Sequence, residues 1–327
     1  MGARWLHSLL GGPIPTERRA TCSDCAMTAP DPFPGASPFD PETKCCTFFP
    51  NLASFQVGGL LSDDDPSVAS GRATVAARIA EGLNTTPFGV GRPAIFTEIY
   101  TPGSSFGQAK ALRCPYYIED GGLCGIWRHR ESTCATWFCK HERGRIGFDF
   151  WRATRLLFQA VEQRLAFVLA EELGVDREAL LALERAPFQL CRDEDAGHYA
   201  AMWGPWAGRE HEYFVETARR AEPLAWTDVR ARCGEVLDEP AREFEAALAF
   251  LRNDQPLPEF TRVVMHEPIS ASGTRVRLRT YSEYDPLDLP AKVSAALPLL
   301  DDRPVAEVPE IDAELLRRLI DYGVVEG

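Results

Sequence analysis

Residues 114–140 read CPYYIEDGGLCGIWRHRESTCATWFCK, with Cys114, Cys124, Cys134 and Cys139 spaced as C-x9-C-x9-C-x4-C. Upstream, Cys22-x2-Cys25 and the adjacent pair Cys45-Cys46 make a second group of four. Thiolates are soft ligands that suit zinc, copper(I) or iron–sulfur clusters. Two residues between ligands let a tight turn aim both sulfurs at one ion. The nine-residue gaps suit loops or hairpins that return to a common point, and Gly121-Gly122 permits one such turn. The gap between Cys134 and Cys139 fits one helical turn or a knuckle. Adjacent side chains diverge in both helix and strand, so Cys45-Cys46 suits a polynuclear centre, or two sites that each take one sulfur. The expected metal ligands are therefore Cys22, Cys25, Cys45, Cys46, Cys114, Cys124, Cys134 and Cys139.

A group of thiolates is negative even with its metal and needs compensation. Arg128, Arg130, Lys140, Arg143 and Arg145 crowd the second group and are expected to supply it. His129 and His141 are alternative ligands or donors to the thiolates. Trp127, Trp137 and Phe138 are expected to wall the site from water. Other thiol chemistry fits less well. CSDC is followed by AMTAP, so Cys22 and Cys25 do not form a CxxCH haem attachment, and no helix follows them as in a thioredoxin-like motif. HExxH, a phosphate-loop lysine and a G-x-G-x-x-G dinucleotide fingerprint are absent. His211 between Glu210 and Glu212, and His198 after Asp193-Glu194-Asp195, read as solvated helix faces rather than metal sites. Cys191 and Cys233 read as small buried apolar residues.

The elements that must position these residues fall into three regions, expected at 1–149, 150–255 and 256–327. The 327-residue length calls for two or three domains. A short helix should end near Gly11-Gly12. Residues 25–45 are proline-rich and form a loop. SFQVGGLL (54–61) and PAIFTEIY (93–100) read as strands around a helix over Val68–Gly82. Beyond Asp149, Leu157, Val161, Leu165 and Val168 repeat at helical spacing, with Gly174 as the C-terminal cap. Further helices are expected over 176–185, 208–221, 228–237 and 240–252. TRVVM (261–265) and RVRLRTY (275–281) read as two strands joined by a loop, followed by helices over 289–300 and 311–322. The whole is mainly α with short β elements: a cysteine-rich N-terminal domain, a helical middle and a small winged-helix-like C-terminal module.

Composition limits the partners. Net charge is −13, of which residues 1–149 hold −1 and the remainder −12. Such a surface repels phosphate backbones and anionic lipid, so neither nucleic acid nor membrane is an expected partner. No secretory leader and no stretch of 18 uninterrupted apolar residues is evident, and a cytosolic location is expected. Ten cysteines in a reducing compartment argue against a disulfide framework.

The cysteine pattern resembles the YkgJ-like cysteine-cluster family, described as zinc- or iron-chelating. That family's pattern is CxxxCxxCC, then a block C…C-I-Y-x-x-R-P-x-x-C-x-x-x-x-C. Here the block stands as Cys114-Pro-Tyr-Tyr, Cys124-Gly-Ile-Trp, Arg130-Glu-Ser-Thr-Cys134 and Cys139, and the likeness spans about residues 20–145. The chain departs from the pattern twice: 19 residues separate Cys25 from Cys45, and Glu131 stands where the family has proline. The resemblance implies metal chelation. One branch of the family, the flagellin lysine methylases, implies an iron–sulfur centre.

Three functional classes follow. The centre is redox-active or catalytic, acting on a protein substrate. Alternatively it is a structural zinc, with the C-terminal module binding a protein or peptide partner. In the third class the protein stores or delivers metal ions. No general base or nucleophile outside the thiols is evident from the sequence.

Overall fold

The computed structural model describes residues 2–31, 33, 39–185, 196–253 and 256–327. Cys191, the acidic run Asp193-Glu194-Asp195 and the prolines at 32, 34 and 38 lie outside the described residues. Helix accounts for 54% and strand for 9%, so the protein is mainly α with small sheets. It divides into two compact units. The first comprises Met1–Pro15, Phe39–Thr136 and Thr154–Ala241; the second comprises Thr16–Pro38, Trp137–Ala153 and Arg242–Gly327. Both are assembled from discontinuous segments, unlike the three consecutive regions read from the sequence.

In the first unit, Ser54–Leu61 is a helix and not a strand. Its run of apolar residues has no period that separates a buried strand from a buried helix. Two local features decide the matter. The Gln56 side chain accepts a hydrogen bond from the Ala53 N–H at 2.9 Å, which caps the first turn. Gly58 then lets the helix approach Glu210–Ala221 so closely that a Cβ would lie 1.8 Å from the Phe214 carbonyl oxygen. Gly58→Ala must therefore drive two backbones apart. We expect it to cost about 3 kcal/mol, readable in urea unfolding.

Residues Ala94–Ile99 are likewise a helix where a strand is expected from the sequence, started by Pro93 at its N-cap. The expected helix over 68–82 is present as Ala69–Glu81, closed by Gly82 in the left-handed region at φ 67°. Leu52, Val57, Leu60, Val75, Ile79, Phe167, Leu180, Trp203, Tyr213 and Phe214 share one buried core. Leu157, Val161 and Leu165 are fully buried on the long helix Gly144–Glu172, as their spacing predicts.

The second unit has its own core, built from Leu278, Leu287, Leu289, Val293, Leu297, Leu316, Leu319 and Val324. Its three-stranded antiparallel sheet runs Pro268–Ser272, Arg275–Leu278, Leu287–Pro290. The partner of the Arg-rich strand is thus Pro268–Ser272, within the stretch read as a connecting loop. TRVVM instead contributes Arg262–Val263, paired with Val325–Glu326. Strand pairing over such separations is chosen by the core, not by neighbouring residues.

Buried Asp285 is the polar centre of this unit. Its carboxylate accepts from Arg19 at 3.2 Å, from the His141 N–H at 3.2 Å, and from the hydroxyls of Tyr281 and Tyr322. Lys140 Nζ lies 3.8 Å away. All three chain segments of the unit therefore meet on one acid. Arg277 makes a second junction: it pairs with Asp288 at 2.7 Å and Asp31 at 2.7 Å, and covers the Phe33 ring at 4.1 Å.

Candidate metal centre

Five of the eight expected ligands belong to the first unit: Cys45, Cys46, Cys114, Cys124 and Cys134. Cys22, Cys25 and Cys139 belong to the second. The spatial grouping therefore cuts across the two sequence groups of four.

Four local devices place the five. Cys45 and Cys46 sit in a turn in which Lys44 has φ 51° and the Cys46 N–H reaches the Thr43 carbonyl at 2.9 Å. The divergence of neighbouring side chains holds for helix and strand. In this turn it is relaxed, and the Cys45 and Cys46 side chains hydrogen-bond to each other. The Cys46 carbonyl accepts from the Cys114 N–H at 2.7 Å, which ties the turn to the next segment. Cys124 lies on a hairpin, paired with Tyr117. The turn of this hairpin holds Gly121 and Gly122 at φ 75° and 61°, as their sequence suggests. The hairpin abuts the helix Ala69–Glu81 at Gly71, where a Cβ would lie 2.1 Å from the Gly125 carbonyl oxygen. Cys134 lies on the short helix Ser132–Thr136.

These thiols share one environment. Burial pushes the Cys114 thiol up to about 12, helped by Cys124 and Cys45. Burial also raises Cys134, and Glu131, Cys114, Cys124 and Cys45 raise it further. Cys45 is raised by its bond to Cys46 and by burial, and lowered by Arg130. Cys45, Cys114 and Cys134, with Cys46 and Cys124 beside them, form a donor set whose thiolates repel one another, and a soft cation would offset that repulsion. Among the described residues, no three Cys, His, Asp or Glu side chains are pre-set around one point as ligands. The fit to a metal thus rests on donor chemistry and convergence.

The surroundings differ from expectation. Of the five basic residues, only Arg130 serves the group. Its Nη1 donates to the Cys134 carbonyl at 3.0 Å while its guanidinium stacks on Trp127 at 3.5 Å. Arg128 pairs with Asp65, Lys140 with Asp285, Arg143 with Asp321 and Arg145 with Asp149. Two cations that the sequence reading missed take part instead. Arg78 lowers Cys114, and Arg92 feels the charges of Glu131 and Cys134. Trp127 is 50% exposed, so it does not seal the site. Trp137 and Phe138 pack in the second unit on Tyr284 and Trp151. Tyr116 and Ile126 supply the buried wall.

The histidines are committed elsewhere. His129 Nε2 is 2.8 Å from Asp63. His141 Nδ1 is 3.2 Å from the Tyr281 hydroxyl, and burial lowers its pKa to about 4. His211 is exposed. Cys233 is buried, as expected.

Thr133, next to Cys134 in the chain, lines a cavity of about 460 Å³. Glu131 and Glu162 line it together with Arg92, Asn51 and Gln159. Glu131, in the family's proline position, accepts from the Thr133 and Cys134 N–H groups at 3.1 Å and caps their helix. Glu162 accepts from the Ser132 N–H at 2.8 Å, the Ser132 hydroxyl at 2.7 Å and Gln56 at 2.7 Å. Burial and the neighbouring Glu131 push its pKa up to about 8. Glu162 was invisible in the sequence because it is one of several polar residues on a long amphipathic helix.

The raised pKa has a consequence for stability. The folded protein holds a proton on Glu162 that the unfolded chain loses near the ordinary carboxylate value. Its contribution is therefore present below that value and is lost as pH rises through about 8. We expect the melting temperature to fall between pH 5 and pH 9, and the slope to flatten in Glu162→Gln; an unchanged slope contradicts the assignment.

Among the described residues, no helix is long and apolar enough to cross a membrane. No protein-family profile, curated protein or solved structure matches the chain.

Proposed function

We propose that this protein is a cytosolic, thiolate-ligated metalloprotein whose centre holds iron–sulfur or zinc. The observation that carries the reading is the convergence of Cys45, Cys46, Cys114, Cys124 and Cys134 from four separate stretches into one electrostatic environment. These five residues would hold the metal. The YkgJ-like resemblance, in which such cysteines chelate zinc or iron, supports the same assignment. An iron–sulfur cluster would supply one-electron chemistry here, and zinc would supply charge and rigidity.

The cavity lined by Glu131 and Thr133, close in the chain to Cys134, favours a centre that does chemistry, on a protein substrate or another, over a purely structural zinc. The chain's own groups there have definable roles. Glu131 fixes the Cys134 helix, Arg130 and Arg92 offset thiolate charge, and Glu162 can hold a proton at its carboxyl. In this reading the first unit is the metal-binding domain, and the small winged-helix-like module near the C-terminus serves a protein or peptide partner.

The test is anaerobic purification followed by elemental analysis and an absorption spectrum. At least one equivalent of iron or zinc per chain is expected; less than one equivalent of any transition metal rejects the proposal. Single Cys→Ser changes at Cys22, Cys25 and Cys139, counted in the same way, decide whether the second unit's thiols are also ligands. Loosely held, exchangeable metal would move the assignment to storage or delivery.

A further inference from the structure

The cavity of about 460 Å³ in the first unit, where Glu162 can hold a proton, also carries a charge pattern that suits a small ligand. Its inner polar group is Glu162, a carboxyl surrounded by donors. Gln56 and the Ser132 N–H approach one oxygen, and the Ser132 hydroxyl approaches the other. Among the described residues no cationic side chain pairs with it. Glu184 also lines the cavity and is exposed, so it stands at the rim, again without an ion-pair partner among the described residues. Arg92, the one arginine among the described residues that line it, feels Glu131 rather than Glu162. Leu52, Phe88 and Leu183 give the cavity an apolar part of its wall.

Enclosing a carboxylate without a counter-charge is costly, so Glu162 by itself keeps a proton, and a bound ammonium would supply the missing counter-charge in its place. The ligand that answers this arrangement carries positive charge and N–H donors at both ends, with methylenes between. A metal ion would leave the apolar wall unused. We propose that this cavity binds an aliphatic diamine, with one ammonium seated against Glu162, the other against Glu184 at the rim, and the methylene chain along Leu52, Phe88 and Leu183. The site does not depend on the identity of the metal.

The experiment is calorimetric titration of the full chain, as purified, with 1,4-diaminobutane, 1-aminobutane and butane-1,4-diol. The diamine should bind about tenfold more tightly than the monoamine, the worth of one ion pair at the rim, and the diol should not bind. Glu162→Gln should abolish binding of both amines. Glu184→Gln changes an exposed residue and should fold normally; it should reduce the diamine to the affinity of the monoamine while leaving the monoamine unchanged. Binding of the diol as tight as that of the diamine overturns the proposal. So does a diamine-to-monoamine ratio that Glu184→Gln leaves unaltered, or the absence of diamine binding. Metal content measured on the same samples is expected to be the same with and without the diamine, which separates failure of this site from failure of the metal centre.

Discussion

Replacing Cys134 with serine is expected to cut bound metal below about half of the wild-type content and to destabilise the first unit by about 4–5 kcal/mol, the range reached on loss of a metal. Three features make this residue the most sensitive of the five. Its thiol is raised by burial and by Glu131, Cys114, Cys124 and Cys45, so it stands where the negative charge of the group concentrates. Its backbone is held from both sides: Glu131 accepts from its N–H, and Arg130 donates to its carbonyl. A serine hydroxyl is a hard, weakly acidic donor that cannot replace a thiolate toward zinc or iron. The same thiols must shed protons to bind metal, so metal uptake should release protons, measurable in a weakly buffered titration. Cys233→Ser is the control. This thiol is buried and pushed up to about 11 by burial, but its electrostatic neighbours are Arg164 and Arg232, not other sulfurs. Its metal content should equal that of the wild type. Equal metal in Cys134→Ser would contradict the proposed centre.

Asp285→Ala is expected to destabilise the second unit by about 3–5 kcal/mol, measured by denaturant unfolding followed in that unit's tyrosine and tryptophan signals. The carboxylate is fully enclosed and receives Arg19, the His141 N–H, Tyr281 and Tyr322, with Lys140 close by. Removing it leaves a buried N–H and two hydroxyls without their acceptor, and Lys140, already disfavoured by burial, without its counter-charge. Arg19 is 40% exposed and can turn to water, so its loss adds little. Asp285→Asn keeps the shape and an acceptor and should cost less. If both variants unfold alike, charge rather than hydrogen bonding holds the junction. If neither moves the transition, the junction is not structural.

Much of the candidate site could be read from the residues. Soft ligands grouped by spacing point to metal, and two adjacent glycines in the hairpin behave as their missing side chains require. The helix over 69–81 and the buried stripe Leu157, Val161, Leu165 follow from periodicity alone. Short apolar runs did not yield to such reasoning. Ser54–Leu61 became a helix through a capping glutamine and a glycine that admits a second backbone, and neither effect is local to the run.

The sequence by itself determined the chemistry on offer: ten cysteines, the spacing of eight of them, and the glycines and caps that shape their turns. Tertiary structure alone decided which thiols share an environment, dividing each sequence group of four between units. It alone chose Arg78, Arg92 and Arg130 from among many cations, and it set Glu131 and Glu162 against one cavity. The physical reason is that ligand type is a property of a residue. Burial, charge compensation and convergence are properties of a place, and such a place is built from segments a hundred or more residues apart in the chain.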